Sequence, residues 1–295
     1  MISGERARNS SRRNRAPSGA LRFNLLGSTE VLRDGVPHAP MRPKQRMVLA
    51  ILLLHANRAV PTDRLIDLLW SAHPPRSAGA SLQMHVSGLR RALTTGGPPT
   101  GGPPAGDDAR RHPLLPTEPN GYSIRLRPDQ LDLSEFHALA RRGEEHLAAR
   151  RDDDARTAFD RALALWRGRP VADLPATTTL TGYTARLEER RFAVLRQRIG
   201  IDLRQGGGRA VIGELTGLCA RHPMREDLRQ LLMVALVQAD RTADALRAYA
   251  DARRTMLAEG VEPGPALRAT QDAVLRGTSV WGTATRALIT TGQGD

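Results

Sequence analysis

A nearly unbroken helical pattern from residue 131 to about residue 276 is the feature that most constrains the fold of this chain. Within it, an Ala-x-x-x-aromatic-x-x-Ala sequence occurs at residues 155–162 and again at 245–252, and a weaker copy begins at Ala210, 35 residues before the later one. That interval is close to the roughly 34-residue period of tetratricopeptide helical hairpins. Small alanines let paired helices approach closely, and the aromatic ring fills the gap between neighbouring hairpins. Residues 129–276 are therefore predicted to form an all-α domain of helical repeats.

The positive charge of the chain is concentrated in its first 128 residues. The formal net charge is +13, of which residues 1–20 carry +4, residues 21–128 carry +7 and residues 129–295 carry +2. Lysine and arginine displace the counterions that condense on phosphates, so this distribution favours a polyanionic partner for the first half. A solvated basic surface or a basic disordered tail would give the same composition, and charge alone does not separate these interpretations.

Residues 21–128 carry the signals of a small domain with a strand, three helices and a hairpin. Asp-Gly at 34–35 and Asn-Gly at 120–121 are both typical of tight turns between strands. Pro43 suits the first position of a helix because the donor that proline lacks has no partner there, and Thr62 is a candidate N-cap. The predicted elements are a strand over 21–33, helices over 44–56, 60–70 and 77–93, and a hairpin, or wing, within 114–126.

Three segments lack the periodicity of packed elements. Residues 1–20 are rich in Arg, Ser and Asn and are predicted to form a disordered basic arm. Residues 94–113 are rich in Gly and Pro, and we interpret them as a flexible surface insertion in the first domain, although loops of that length are unusual in compact domains. Residues 277–295 are predicted to form a loose tail.

The third predicted helix has a surface suited to DNA. Its apolar residues recur at steps of three and four, which turns a narrow stripe towards the core, formed by Ala78, Leu82, Val86, Leu89 and Leu93. The opposite face is small, polar and basic, as insertion into the major groove requires, and it carries Ala80, Met84, Ser87 and Arg91, flanked by Ser81, His85 and Gly88 on one side and by Gln83 and Arg90 on the other. An ordinary amphipathic surface helix would show the same stripe.

No pattern in the chain indicates catalysis, a cofactor or a metal site. Lys44 is the only lysine and follows no glycine-rich loop, which excludes a P-loop, and neither His-Glu-x-x-His nor Gly-x-Ser-x-Gly occurs. The single cysteine, Cys219, excludes an internal disulfide and fits a reducing cytosol. The longest apolar run, Met47–Leu54, is too short to span a membrane, and the basic N-terminus lacks the apolar segment of a secretory signal. We therefore expect a cytoplasmic protein that is not an enzyme.

Two sets of motifs follow one another along the chain. The first domain contains, in order, Pro43-Lys44-Gln45-Arg46, Asp63-Arg64-Leu65-Ile66, Leu69-Trp70, His85-Val86-Ser87, Leu89-Arg90-Arg91 and Gly121-Tyr122. The second contains Asp132-Leu133-x-x-Phe136, Ala162-Leu163-x-Leu165-Trp166-Arg167-Gly168, Leu187-Glu188-x-x-Arg191, His222-Pro223-x-Arg225-Glu226 and Glu262-Pro263-Gly264-Pro265. In order and spacing, over about residues 21–276, these motifs resemble the Streptomyces antibiotic regulatory protein family.

The resemblance implies an OmpR-type winged helix-turn-helix followed by a bacterial transcriptional activation domain. It also implies a nucleoid-associated activator of a secondary-metabolite gene cluster, such as an antibiotic cluster. Members of the family bind double-stranded DNA at short direct repeats near the −35 region and recruit RNA polymerase holoenzyme with its sigma factor. Direct repeats imply two copies of the chain bound head to tail, whereas a two-fold dimer would require a palindrome. Larger members add an ATPase module, and this chain resembles the small class without it.

The resemblance also implies roles for individual residues. Lys44 and Arg46, at the start of the first helix, correspond to contacts with the DNA backbone. Thr117 and Tyr122 correspond to the wing, although Tyr122 could equally anchor the hairpin in the core. The reading helix corresponds to Ser81, His85, Ser87, Arg90 and Arg91. The segment that faces polymerase or sigma corresponds to the loop 71–76, with His73, Pro74, Pro75 and Arg76.

Three sites depart from the family pattern. Gly79-Ala80 stand where members often carry Arg-Asn, and Gly88 and Glu118 each stand where members often carry Arg. Every change removes a donor or a charge, and Glu118 adds repulsion to phosphate, so we expect modest affinity for each half-site. These departures leave open a second hypothesis, in which residues 131–276 act as a helical-repeat adaptor for proteins or peptides and the DNA-binding half is vestigial.

Overall fold

The computed structural model describes residues 20–38, 41–70, 73–95 and 112–280, together with residue 282. Most of the predicted basic arm, insertion and tail lie outside these residues. The described chain divides into two compact units. The first comprises the described residues up to Ala138 together with Ala164–Glu188, and the second comprises Leu139–Leu163 and the described residues from Glu189 onwards.

The first unit opens with an antiparallel sheet of three short strands, β1 (Leu21–Asn24), β2 (Glu30–Arg33) and β3 (Val36–Pro37). The hairpin turn predicted at Asp34-Gly35 is confirmed, and both residues have the positive φ that a two-residue turn of type I′ requires, 52° and 82°. The expectation of one strand over 21–33 is wrong. The backbone leaves the sheet after Asn24 because the N–H groups of the next two residues donate to the carboxylate of Asp132.

Three helices follow, α1 (Pro43–Leu54), α2 (Thr62–Trp70) and α3 (Ala78–Thr95), and each contacts the other two. Pro43 occupies the first turn of α1, as predicted. The second helix begins later than the predicted residue 60, because Val60-Pro61 forms a strand, β4, that pairs with Tyr122 and Gly121. Thr62 is therefore the first helical residue rather than the N-cap, and its N–H donates to the carbonyl of Asn120 at 2.9 Å.

The hairpin predicted within residues 114–126 is confirmed. It consists of β5 (Thr117–Glu118) and β6 (Gly121–Tyr122), and β6 lies between β4 and β5 in a second three-stranded sheet. The turn residues are Pro119 and Asn120, so Gly121 belongs to the strand and not to the turn. We call β5, β6 and their turn the wing.

Seven α-helices follow in the described chain. They are α4 (Asp132–Ala148), α5 (Asp152–Ala164), α6 (Thr178–Arg204), α7 (Gly208–Arg221), α8 (Glu226–Gln238), α9 (Thr242–Ala258) and α10 (Pro265–Leu275). Within the second unit, α8 contacts α7, α9 and α10. The predicted fold class, mainly α with small sheets and a winged helix-turn-helix ahead of helical repeats, is confirmed.

The Ala/aromatic repeat lies in the core of the second unit. Its alanines in α5 and α9 are fully buried, as is Phe159, and Tyr249 is nearly so. Gly143 of α4 makes room for the Phe159 ring, since a Cβ there would lie 2.3 Å from a ring carbon. The weaker copy was predicted in the wrong register. Ala210 is exposed, and the equivalent buried triplet of α7 is Val211, Leu215 and Leu218, 34 positions before the α9 triplet.

Two negative findings concern the described residues alone. No helix among them combines the length and the apolar character that crossing a membrane would require. Their His, Cys, Asp and Glu side chains form no group of three that could hold a metal ion.

Candidate nucleic-acid interface

Helix α3 presents opposite faces of different chemistry. Leu82, Val86, Leu89 and Leu93 are at most 3% exposed, so the predicted inward stripe is confirmed. On the outward side Ala80, Gln83 and Met84 are exposed. The structure places four of the predicted DNA-reading residues on the partly exposed surface of this one helix: Ser81, His85, Ser87 and Arg91.

Arg90 differs from the sequence-based expectation, which placed its side chain in the DNA groove. It is only 7% exposed, and its guanidinium is held inside the protein. Nε donates to the carbonyl of Leu115 at 2.9 Å, and a terminal nitrogen donates to the hydroxyl of Thr117 at 2.8 Å. The guanidinium carbon also lies 5.8 Å from the centre of the Tyr122 ring. In this arrangement Arg90 joins α3 to the wing, and burial lowers its pKa from the ordinary value of arginine.

The wing residues divide between core and surface. Tyr122 is 8% exposed, so its ring anchors the hairpin, and burial raises the pKa of its phenol. Thr117 is exposed as a residue, but its hydroxyl accepts a hydrogen bond from Arg90. The carboxylate of Glu118 accepts hydrogen bonds from Ser123 at 2.7 Å and from Arg125 at 3.2 Å, and these two contacts lower its pKa. The charge of Glu118 is therefore matched locally.

A second contact holds the two ends of the connection between α3 and the wing. The hydroxyl of Thr94, in the last turn of α3, lies 3.1 Å from Nε2 of His112. Nδ1 of the same ring lies 3.1 Å from the backbone nitrogen of Leu115. With Arg90, this pair brings the chain on both sides of the 96–111 segment into one small area.

Close backbone approach explains the glycine in the wing. A Cβ at Gly121 would lie 2.0 Å from the carbonyl oxygen of Val60 and within 3 Å of two further backbone atoms. We expect Gly121→Ala to lower the free energy of unfolding of the first unit by about 1–3 kcal/mol, the usual cost of overpacking. Urea denaturation measures it, with Gly79→Ala as the control, since a Cβ at Gly79 meets nothing within 4 Å. Equal stability of the two variants would contradict the expectation.

Lys44, Trp70 and His85 form a cluster where the three helices meet. Lys44 Nζ donates to the carbonyl of Leu69 near the end of α2 and lies 5.3 Å from the centre of the Trp70 indole. The His85 ring stacks on the same indole at 6.4 Å. Burial, with the nearby charges of Lys44 and Arg42, lowers the pKa of His85. The lowered pKa favours the neutral ring, which offers one donor and one acceptor rather than a charge.

Arg46 also differs from the expectation of a DNA-backbone contact. Its guanidinium forms an ion pair with Asp173 at 3.0 Å and donates to the carbonyl of Met41 at 3.3 Å. Asp173 in turn accepts the N–H of Thr29 at 2.7 Å. Arg46 thus holds parts of the first unit together, and in this structure neither it nor Lys44 presents an unengaged cation.

The loop predicted to face polymerase is partly described. His73, Pro74, Pro75 and Arg76 are all exposed, whereas residues 71 and 72 lie outside the described part of the chain. His73 donates its N–H to the carbonyl of Trp70 at 3.2 Å, which ties His73 to the last residue of α2.

One of the glycines that depart from the family pattern lies against the start of α1. A Cβ at Gly88 would lie 2.1 Å from the amide nitrogen of Gln45. Gln45 occupies that place because its amide oxygen accepts the N–H of Arg42 at 3.1 Å, at the beginning of α1. A larger side chain at position 88 therefore requires the end of the Gln45 side chain to move.

Two residues of this surface were missing from the predicted site. The Trp70 ring contacts both Lys44 and His85. Met84 is 60% exposed at the middle of the outward face of α3. The position of Met84 on the helical wheel was a usable signal. The position of Trp70 in the sequence offered no such signal, because its partners come from two other helices.

Comparison with known proteins agrees with this architecture. The family described as bacterial transcriptional activator domain matches residues 131–275, and the family described as transcriptional regulatory protein, C terminal, matches residues 38–100. Regulatory protein AfsR of Streptomyces coelicolor is 39% identical over 261 residues, which cover 88% of this chain and 24% of AfsR. Regulatory protein DnrI of Streptomyces peucetius is 36% identical over 257 residues, which cover 87% of this chain and 92% of DnrI.

A solved structure shows the same fold. It is described as Mycobacterium tuberculosis EmbR in complex with low affinity phosphopeptide, and it matches with a TM-score of 0.80 and 34% identity over 92% of this chain and 69% of the EmbR chain. The chain spans about a quarter of AfsR but nearly all of DnrI. With both domains matched in order, this chain belongs to the Streptomyces antibiotic regulatory protein family of transcriptional regulators.

Proposed function

We propose that this protein is a sequence-specific DNA-binding activator of a secondary-metabolite gene cluster. It binds direct repeats near the −35 region and recruits RNA polymerase with its sigma factor. The observation that carries the proposal is the two-faced character of α3, which packs a buried stripe on α1 and α2 and turns a polar surface outward. Family membership and the positive charge of residues 1–128 support it.

The proposed DNA contacts follow the exposed surface. Ser81, His85, Ser87 and Arg91 face the major groove from α3, and the turn of the wing lies against the neighbouring backbone. Arg90 contributes by holding the wing at a set position relative to α3. The exposed loop His73–Arg76 is the proposed contact for polymerase or sigma.

Two copies bound head to tail would make the spacing between repeats critical. We expect the full chain to protect two direct repeats upstream of a neighbouring biosynthetic operon and to bind a two-repeat duplex more tightly than a one-repeat duplex. Inserting five base pairs between the repeats should remove the gain, because half a helical turn, from a repeat of about 10.5 base pairs, places the second copy on the opposite side of the duplex. Footprinting and gel-shift titration at two salt concentrations measure both effects.

A ten-base-pair insertion and unrelated DNA serve as the two controls. Inserting ten base pairs restores the rotational phase, so binding should recover in part. Uniform protection of every fragment, with the same affinity for unrelated DNA, would refute sequence-specific recognition. Protection of defined repeats with no effect of the five-base-pair insertion would refute only the head-to-tail arrangement.

A further inference from the structure

One large apolar side chain stands at the centre of the proposed reading surface. Met84 is 60% exposed, and among the described residues it is the one large hydrophobic side chain exposed on α3. Its neighbours at three and four positions on either side are all small: Ala80, Ser81, Ser87 and Gly88. Met84 therefore projects beyond the surface around it, and the small neighbours let that part of the helix approach another surface closely.

The chemistry of the major groove gives such a side chain a single matching group. In the major groove, guanine, adenine and cytosine present hydrogen-bond donors and acceptors. Thymine alone adds a methyl group, at C5. The thioether of methionine has no donor and is a weak acceptor. Placed against the other edges, Met84 would displace water from polar groups and return no hydrogen bond, which carries an energetic penalty.

Resting on the proposed function, the geometry points to Met84 as a specificity-determining residue that contacts the C5 methyl group of a thymine in each repeat. The contact is apolar, with no charge on either side. Gln83 and His85, next to Met84, supply the hydrogen-bonding groups for flanking bases. The contact therefore adds discrimination between thymine and other bases without adding to the salt dependence of binding.

The methyl group can be removed from the DNA without changing base pairing. We expect replacement of one thymine per repeat by deoxyuridine to weaken binding of the full chain about fourfold for a single repeat, the effect of withdrawing one buried methyl group. Each thymine of the footprinted repeat is replaced in turn, and the dissociation constants are measured by fluorescence anisotropy. The sensitive thymine should occupy the same position in both repeats.

Protein variants assign the effect to Met84. Met84→Ala should bind the thymine and deoxyuridine duplexes equally, and Met84→Leu, which keeps an apolar side chain of similar volume, should retain discrimination. Met224→Ala is the matched control, because Met224 is also exposed but lies outside the proposed interface. Alanine favours helix more than methionine does, so Met84→Ala should fold.

The outcomes separate this inference from the proposed function. Specific binding that is insensitive to deoxyuridine at every thymine overturns the role of Met84 and leaves the activator proposal standing. Unchanged deoxyuridine sensitivity in Met84→Ala also overturns it, since another residue must then contact the methyl group. Absence of any preferred sequence refutes the proposed function itself.

Discussion

Replacing Arg198 by alanine is expected to lower the free energy of unfolding of the second unit by about 3–5 kcal/mol, the usual effect of removing one partner of a buried ion pair. Arg198 is 9% exposed on α6 and forms ion pairs with Asp202 at 3.1 Å, Asp160 at 3.7 Å and Glu214 on α7. Burial disfavours its charge, but these carboxylates outweigh burial and raise its pKa. Alanine would leave the buried carboxylate of Asp202 with Arg156 as its remaining cation.

The loss can be localised to these helices. Hydrogen exchange followed by mass spectrometry should show reduced protection in α6 and α7 of Arg198→Ala, alongside a lower midpoint of urea denaturation. Arg209→Ala, at an exposed position of α7, is the matched control and should stay within about 0.5 kcal/mol of the parent chain. A change below about 1 kcal/mol in Arg198→Ala would show that the network contributes little.

Replacing Arg90 by alanine is expected to destabilise the first unit and to weaken DNA binding without altering base preference. Two hydrogen bonds from a charged donor disappear, and the acceptors on Leu115 and Thr117 lose their partner. Hydrogen bonds to charged groups contribute about 1.5–3 kcal/mol, so we expect a loss of about 2–3 kcal/mol in unfolding free energy. The wing then loses its contacts with Arg90, and binding to operator and unrelated DNA should fall by similar factors.

A conservative variant and a base-by-base titration test the positioning role of Arg90. Arg90→Lys should behave much like alanine, because an ammonium group cannot reproduce the planar arrangement of guanidinium donors that reaches both acceptors. Thr117→Val removes one acceptor and should have a smaller effect. Intact stability, combined with lost preference at one base pair, would instead place Arg90 in the groove.

The elements predicted from the sequence are those whose signals are local. The apolar stripe of α3, Pro43 at the start of α1 and the turn at Asp34-Gly35 each depend on residues within a few positions of one another. Helical periodicity and turn chemistry act over that range, so the pattern alone was sufficient. The repeat in α5 and α9 was recognised for the same reason, although its weaker copy in α7 was misplaced by one residue.

The partners of the basic residues could not be predicted because they are distant in sequence. Arg90 bonds to residues 25 and 27 positions away, and Arg46 pairs with a carboxylate 127 positions away. The sequence does not distinguish an arginine that forms contacts inside a domain from an arginine that binds phosphate. The strand at Val60 was missed for a similar reason, since its partner Tyr122 lies beyond the Gly/Pro-rich segment. The roles of Ser81, His85, Ser87 and Arg91 stay predictions.

The paired anchors between α3 and the wing make the chain between them a permissive place for protein engineering. Thr94 contacts His112, and Arg90 donates a hydrogen bond to Leu115. These contacts hold the two ends of the connection. The entropy of closing a connection grows only with the logarithm of its length, and doubling the length costs about 0.6 kcal/mol. A peptide epitope or a fluorescent reporter inserted between residues 96 and 111 should thus leave α3 and the wing in their relative positions. Such an insertion would allow the protein to be followed on its operator.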